Sequence, residues 1–163
     1  MIMEGTILRG RQFEPVEGRV VVEDGKIDAI ETGSARSDDI IVPAFVNAHT
    51  HVGDSIAKDA GEELTLEELV APPDGLKHRL LAEADRTEQI EAIRRSLRYM
   101  LDGGTAACLD FREGGVAGVE ALQAAAADLP IEALALGRES IEAMEIGDGF
   151  GASGTNDGEF SRE

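Results

Sequence analysis

The stretch IIVPAFVNAHTHVGDS (residues 40–55) decides the fold of this chain. It begins as an apolar run rich in β-branched residues, which predicts a strand buried on both faces. Side chains alternate between the two faces of a strand, so Asn47, His49 and His51 are expected to point the same way. Two imidazoles on one face, at the end of a buried strand, can bind one divalent metal ion. His49 and His51 are therefore predicted metal ligands, although a His-x-His pair also occurs by chance.

Residues 43–51, Pro-Ala-Phe-Val-Asn-Ala-His-Thr-His, resemble the first barrel strand of the amidohydrolase superfamily, whose usual form is Pro-Gly-Phe-(Val/Ile)-(Asn/Asp)-x-His-x-His. Ala44 replaces the commoner glycine and leaves the ligand spacing unchanged. Residues 52–55 are similar to the branch of cytosine-deaminase-like and chlorohydrolase-like enzymes. The resemblance implies an α/β fold, a (β/α)8 TIM barrel preceded by a small β-sandwich that residues from the far C-terminus complete.

The chain has 163 residues, whereas a (β/α)8 barrel typically needs about 250. We therefore expect only the N-terminal portion of the barrel, with about four βα units. The predicted domains are residues 1–39, which supply strands of the β-sandwich, and residues 40–163, which form the first part of the barrel.

Hydrophobic periodicity and turn residues predict the other elements. Before the barrel, strands are expected at 5–9, 19–23 and 26–30, with a hairpin turn at Asp24-Gly25. Later strands are expected at 105–109, 131–136 and 149–153. Thr65 and Thr87 are predicted to cap the helices that follow them. Helices are expected at 65–70, 76–85, 87–101, 116–128 and 141–146, and from 157 onward.

Functional groups in α/β barrels gather at the C-terminal ends of the strands. This rule selects polar residues after each predicted strand, of which we predict five as substrate-binding: Asp54, Ser55, Arg112, Arg138 and Glu139. Asp110 and Ser153 occupy equivalent positions. The alternatives are structural: Arg112 could pair with Glu113 or Asp110, and Asp54 or Ser55 could cap a helix. His78 lies among charged residues and is predicted to be a surface histidine.

The resemblance also implies how the metal would be used. Superfamily members take further ligands from the fifth, sixth and eighth strands, so the closing ligands and the catalytic residues are expected beyond Glu163. Binuclear members use a carboxylated lysine on the fourth strand, but no lysine follows Lys77 here. We therefore expect one divalent ion, Zn or Fe. The predicted function is hydrolysis of non-peptide carbon–nitrogen bonds, in which metal-activated water deaminates a small heterocyclic amine.

Two other functions stay open. One is ring opening of a cyclic amide, as in dihydroorotase-like relatives, which would require two metal ions. The other is a catalytically silent chain that acts only with a complementary C-terminal half or associates with itself, because a partial barrel exposes a parallel edge.

Composition limits the partners and the environment. The chain carries 33 acidic and 15 basic residues, a net charge of −18, so nucleic acid and anionic membranes are not expected partners. The acidic, lysine-poor composition favours a salt-adapted (halophilic) source over a merely acidic cytosolic protein. Cys108 is the single cysteine, and neither a signal peptide nor a membrane-spanning run is recognised. We therefore expect a soluble, cytoplasmic protein.

Overall fold

The computed structural model describes residues 1–71 and 74–152. The chain forms two compact units, Met1–Ala44 and Phe45–Glu163. In the described residues, no helix combines the length and apolar character needed to cross a bilayer.

The first unit contains one four-stranded sheet, with strand order β3-β2-β1-β4. β1 and β2 pair antiparallel, as do β2 and β3, whereas β4 runs parallel to β1. Asp24 and Gly25 both have positive φ, as the tight turn between β2 and β3 requires, so the predicted hairpin is confirmed. The strands are β1 Ile2–Arg9, β2 Glu14–Glu23, β3 Lys26–Thr32 and β4 Ile40–Ile41.

The apolar run at residues 40–46 is divided between the two units. Ile40–Ile41 is β4, in register with Thr6 and Ile7 of β1, whereas the first strand of the second unit begins at Phe45. The boundary expected between residues 39 and 40 therefore lies a few residues before the division between the compact units. The predicted domain bounds, and the assignment of the first unit to a β-sandwich, stay predictions.

The second unit alternates strands and helices around a parallel sheet of order β5-β6-β7-β8. This order follows the chain, as in the opening strands of an α/β barrel, and confirms the predicted α/β class. A 3₁₀ helix, Val52–Ala57, was not predicted. The strands are β5 Phe45–Thr50, β6 Thr105–Arg112, β7 Glu132–Gly137 and β8 Gly149–Phe150. The helices are α1 Leu66–Val70, α2 Leu76–Glu83, α3 Arg86–Asp102, α4 Gly115–Ala126 and α5 Ile141–Ile146.

Most predicted elements are present, with shifted ends. β6 extends three residues further than predicted, to Arg112, and β8 ends at Phe150. Thr65 caps α1 through a capping box with Glu68, as expected. The cap of α3 is Asp85 instead of Thr87, whose backbone N–H donates to the Asp85 carboxylate. Ser153 and the helix expected from residue 157 lie outside the described residues.

The core of the second unit lies between the sheet and its helices. Its largest buried side chains come from α3, β6 and α4: Ile93, Leu97, Cys108, Val119 and Leu122. Burial of these side chains attaches both helices to the strand that follows the histidine pair. This packing positions the C-terminal end of β6 beside that of β5.

β5 differs most from its sequence prediction. Phe45 and Val46 are 59% and 62% exposed, so burial on both faces is wrong for the described chain. β5 is the first strand in the sheet order, and among the described residues it pairs only with β6. The register also shifts, because Asn47 pairs with Cys108 while Thr50 pairs with Asp110. Two residues of β5, Ala48 and His49, therefore face one residue of β6, as in a β-bulge.

Candidate metal centre

The two histidines of the His-x-His pair converge at the C-terminal end of β5. Nε2 of His49 lies 3.3 Å from Nε2 of His51, and the ring centroids are 5.3 Å apart. Both rings contact Phe111 of β6, with the His49 and Phe111 centroids separated by 4.4 Å. His49 lies in the bulge of β5. His51 is the single residue between the end of β5 and the start of the 3₁₀ helix. The predicted common direction of these two side chains is confirmed.

The separation of the two nitrogens suits a shared metal ion. Two nitrogens that each lie about 2.0–2.1 Å from a tetrahedral zinc ion are roughly 3.3 Å apart. His51 is 28% exposed and His49 is exposed, so an ion can reach both rings from solvent. Within residues 1–71 and 74–152, no group of three His, Cys, Asp or Glu side chains could complete the site. The described residues therefore offer two converging imidazole nitrogens, and the role of His49 and His51 as metal ligands stays a prediction.

Glu113 fixes the orientation of His51. Its Oε1 lies 3.1 Å from Nδ1 of His51. An ionised carboxylate only accepts hydrogen bonds, so Nδ1 donates, and Nε2 is the nitrogen that carries the lone pair of the neutral ring. A histidine whose second nitrogen donates to a carboxylate is the usual arrangement around metal-bound imidazole.

Glu113 is also the centre of a buried ionic cluster. The same Oε1 accepts hydrogen bonds from Lys77 Nζ at 2.8 Å and Arg138 Nη1 at 3.0 Å, and Lys77 also contacts Asp54 at 2.9 Å. Glu113 is only 6% exposed, and burial alone would raise its pKa. Hydrogen bonds from His51 and Lys77, with the charges of Lys77 and Arg112, outweigh burial and hold the pKa of Glu113 well below its ordinary value. The carboxylate facing His51 is therefore ionised at neutral pH.

Asp110 and Arg112 support the backbone behind the histidines. Asp110 is fully buried and accepts hydrogen bonds from the Val52 N–H at 2.6 Å and the Thr50 hydroxyl at 3.0 Å. Burial, together with the nearby charge of Glu113, raises the pKa of Asp110 by more than the Arg112 charge and these hydrogen bonds lower it. Arg112 Nη1 lies 3.4 Å from Asp110 and its Nε donates to the backbone oxygen of Glu113. The two hydrogen bonds accepted by Asp110 attach Thr50 and Val52 to β6, and Arg112 holds the Asp110 carboxylate from within β6.

The predicted substrate-binding residues fall into two groups. Asp54, Arg112 and Arg138 belong to the Glu113 cluster, and Arg112 is 2% exposed. Ser55 and Glu139 lie outside it. The Ser55 hydroxyl donates to the Val52 carbonyl, and the Glu139 carboxylate accepts from the Gly114 N–H. Their roles in substrate binding stay predictions.

Three residues of this region were missed by sequence reasoning as functional positions: Gly53, Lys77 and Glu113. Glu113 directly follows Arg112 at the end of β6, so the strand-end rule could have selected it. Lys77 lies on α2, and no spacing in the sequence connects it to β5 or β6. Gly53 is required by space, because a Cβ there would meet the Arg112 guanidinium.

The family model for amidohydrolases matches residues 40–161. The chain belongs to the amidohydrolase family. The match includes the His-x-His pair, β6 with Glu113, and every strand of the parallel sheet.

Curated relatives of this amidohydrolase are found among archaea. A protein of Methanothermobacter thermautotrophicus, provisionally named an aminohydrolase, is 42% identical over 148 residues, or 86% of this chain and 38% of the relative. An adenine deaminase of Methanosphaera stadtmanae is 38% identical over 56 residues, or 34% of this chain and 10% of the relative. The chain thus spans less than half the length of these relatives.

Solved structures share the fold of this amidohydrolase. The zinc complex of atrazine chlorohydrolase TrzN from Arthrobacter aurescens TC1 superposes with a TM-score of 0.57 at 22% identity, covering 83% of this chain and 35% of that one. Guanine deaminase from C. acetobutylicum, with bound guanine, gives a TM-score of 0.56 at 16% identity, covering 85% and 36%. The predicted partial barrel is therefore confirmed.

Proposed function

We propose that this amidohydrolase is a metal-dependent hydrolase of non-peptide carbon–nitrogen bonds that deaminates a small heterocyclic amine. The observation that carries the proposal is the convergence of the His49 and His51 Nε2 atoms at 3.3 Å, with the opposite nitrogen of His51 on Glu113. The names of the adenine deaminase relative and the guanine deaminase neighbour support the deaminase class.

The residues of this chain would bind and orient the ion. His49 and His51 would supply two nitrogen donors, and the hydrogen bond between Nδ1 of His51 and Glu113 would leave Nε2 as the donor atom of the neutral ring. When bound, a divalent Zn or Fe ion supplies Lewis-acid activation of water at neutral pH. Asp110 accepts hydrogen bonds from Thr50, which lies between the two histidines, and from the Val52 N–H after them, and it therefore limits movement of the rings.

The fourth strand favours a single ion over the pair used in cyclic-amide ring opening. β8 contains Gly149 and Phe150, so it offers no lysine for a bridging carboxylated side chain. One ion and a heterocyclic amine substrate are therefore the leading combination. Association with a complementary half or with a second copy stays a prediction.

The test compares His49→Ala and His51→Ala with His78→Ala in the natively expressed protein. His78 lies on α2, where Nε2 contacts the Val70 carbonyl, so its replacement removes an imidazole away from the pair. We expect about one ion per chain in the parent and in His78→Ala, and almost none in the other two variants. Ammonia release from a panel of aminopurines, aminopyrimidines and aminotriazines should disappear with the ion.

Retention of metal and activity in His49→Ala and His51→Ala would reject the proposal. Two ions per chain, with opening of cyclic amides and no ammonia release, would replace it with the ring-opening function. Metal binding without any hydrolysis would support the catalytically silent alternative.

A further inference from the structure

We propose that Glu113 is a positioning residue of the metal site, which selects the metal-binding tautomer of His51 and is itself held in place by Lys77 and Arg138. This inference rests on the proposed function, because it concerns the same ion. Neither the His-x-His pattern nor the predicted ligands of later strands include Glu113.

The geometry places three donors on one carboxylate oxygen. Oε1 of Glu113 lies 2.8 Å from Lys77 Nζ, 3.0 Å from Arg138 Nη1 and 3.1 Å from His51 Nδ1. The donors come from α2, from the residue after β7 and from the residue after β5. Since Lys77 and Arg138 hold this oxygen from two segments other than that of His51, its position is fixed independently of the His51 ring. The ring must instead orient toward the oxygen.

A purely structural role would make Glu113 a counterion for buried cations. However, two of the cations that pair with Glu113, Lys77 and Arg112, also have a second carboxylate within ion-pair distance. Lys77 Nζ lies 2.9 Å from Asp54, and Arg112 Nη1 lies 3.4 Å from Asp110. The contact with His51 is therefore not explained by charge compensation alone.

Selection of the tautomer has a direct consequence for metal binding. A neutral imidazole carries its proton on either nitrogen, and the hydrogen bond of one nitrogen determines the state of the other. With Nδ1 donating to Glu113, Nε2 presents its lone pair beside His49. Without the carboxylate, the proton can occupy Nε2, and binding an ion would require its removal. Loss of such a partner typically weakens metal affinity by about 10- to 100-fold.

The experiment measures Zn²⁺ affinity in the natively expressed protein after metal removal, by competition with a chromogenic chelator. Glu113→Gln keeps the size and one acceptor but removes the charge, whereas Glu113→Ala removes both. We expect affinity to fall by about 10-fold in the first and up to about 100-fold in the second. Glu145→Gln is the matched control, because Glu145 is exposed on α5 and its replacement changes the net charge equally.

A second readout detects the tautomer directly. ¹⁵N NMR of the metal-free parent should show the His51 proton on Nδ1, and in Glu113→Ala the Nε2-protonated form should appear. Lys77→Met, which keeps the Glu113 carboxylate and removes one of the two cations that hold it, should weaken Zn²⁺ binding less than Glu113→Ala. Thermal unfolding identifies the variants that fold, and Zn²⁺ affinity and tautomer are compared only among these.

The outcomes separate this inference from the proposed function. Parent-like Zn²⁺ affinity and an unchanged His51 tautomer in folded Glu113→Ala would overturn the inference, provided that His49→Ala and His51→Ala lose the ion. If those histidine variants retain the ion, the proposed function fails instead. Should neither Glu113 variant fold, a proton on Nε2 of His51 in the metal-free parent would overturn the inference without any substitution.

Discussion

Gly53 illustrates how one residue near the histidine pair depends on a distant side chain. It lies in the 3₁₀ helix two residues after His51, and the Arg112 guanidinium of β6 occupies the space where its Cβ would be. The constraint is one of space, because the backbone of Gly53 does not have positive φ. Glycine at this position therefore allows Arg112 to remain buried beside Asp110.

Gly53→Ala should consequently destabilise the protein by about 1–3 kcal/mol, the usual cost of overpacking a closely packed site. Urea unfolding measures the change. Gly103→Ala is the control, because a Cβ at Gly103 would make ordinary contacts of 3.4 and 3.5 Å with backbone oxygens of α3. A Gly53→Ala midpoint equal to that of Gly103→Ala would contradict the packing argument.

At this scale the sequence predicts the convergence of the histidine pair better than the surroundings of the pair. His49 and His51 are recognisable because strand alternation and spacing are local properties. Glu113 contacts His51 across 62 positions of the chain. Lys77 in turn contacts Glu113 across 36 positions. Such contacts depend on how β5, α2 and β6 pack, which no local pattern specifies.

At the scale of elements, the start of α3 shows how two neighbouring candidates for a cap are distinguished. Asp85 accepts a hydrogen bond from the Thr87 N–H at 2.7 Å, and Glu88 returns one to the Asp85 N–H. Asp and Thr are both common N-cap residues, but at this helix Asp85 has the extended backbone of an N-cap, whereas Thr87 already lies within α3. The sequence prediction was therefore two residues late at this helix.

The cap makes a pH-dependent contribution to stability. Hydrogen bonds from the Thr87 backbone and side chain lower the pKa of Asp85 from its ordinary value. A carboxyl with a lowered folded-state pKa stabilises the fold above its unfolded pKa of about 3.9, and this contribution is lost as pH falls through the folded pKa. Asn caps equally well but does not ionise.

The stability advantage of the parent over Asp85→Asn should therefore shrink as the pH falls from 7 to about 3. Urea midpoints of both proteins across this range test the prediction. Asp102→Asn provides the control, since it makes the same charge change at the opposite end of α3. An advantage that stays constant, or grows in acid, would show that ionisation of Asp85 does not support the helix.

For the whole molecule, the largest electrostatic feature is its net charge of −18. Exposed ion pairs such as Arg19 with Glu31 and Arg86 with Glu120 compensate little of it, because solvent-exposed pairs each contribute roughly 0–1 kcal/mol. Self-repulsion therefore opposes folding in dilute salt. The halophilic source expected from the composition stays a prediction.

We expect the melting temperature to rise as KCl increases from about 0.1 to 1 M, where the Debye length falls from about 10 to 3 Å. Differential scanning calorimetry measures the rise, and sucrose at matched osmolality controls for solute exclusion. A melting temperature that falls with KCl, or rises equally with sucrose, would contradict screening as the cause.

The fold class could be predicted from the sequence because the alternation of strands and helices is a chain-long signal. The parallel order of β5 to β8 follows from that alternation. The exposure of Phe45 and Val46 could not be predicted, since it depends on which strands neighbour β5. The division of residues 40–46 between two sheets was also hidden, because an apolar run gives no indication of its pairing partner.

The bulge in β5 leaves the backbone at Ala48 and His49 less constrained than the rest of the strand. Ala48 and His49 face the single residue Leu109, so the hydrogen-bond ladder does not fix both of their peptide groups. Small displacements of His49 can then be absorbed locally, without sliding β5 along β6. Under the proposed metal-binding role, exchange of one first-row transition metal for another of slightly different radius would be accommodated at the bulge, and the sheet behind it would keep its register.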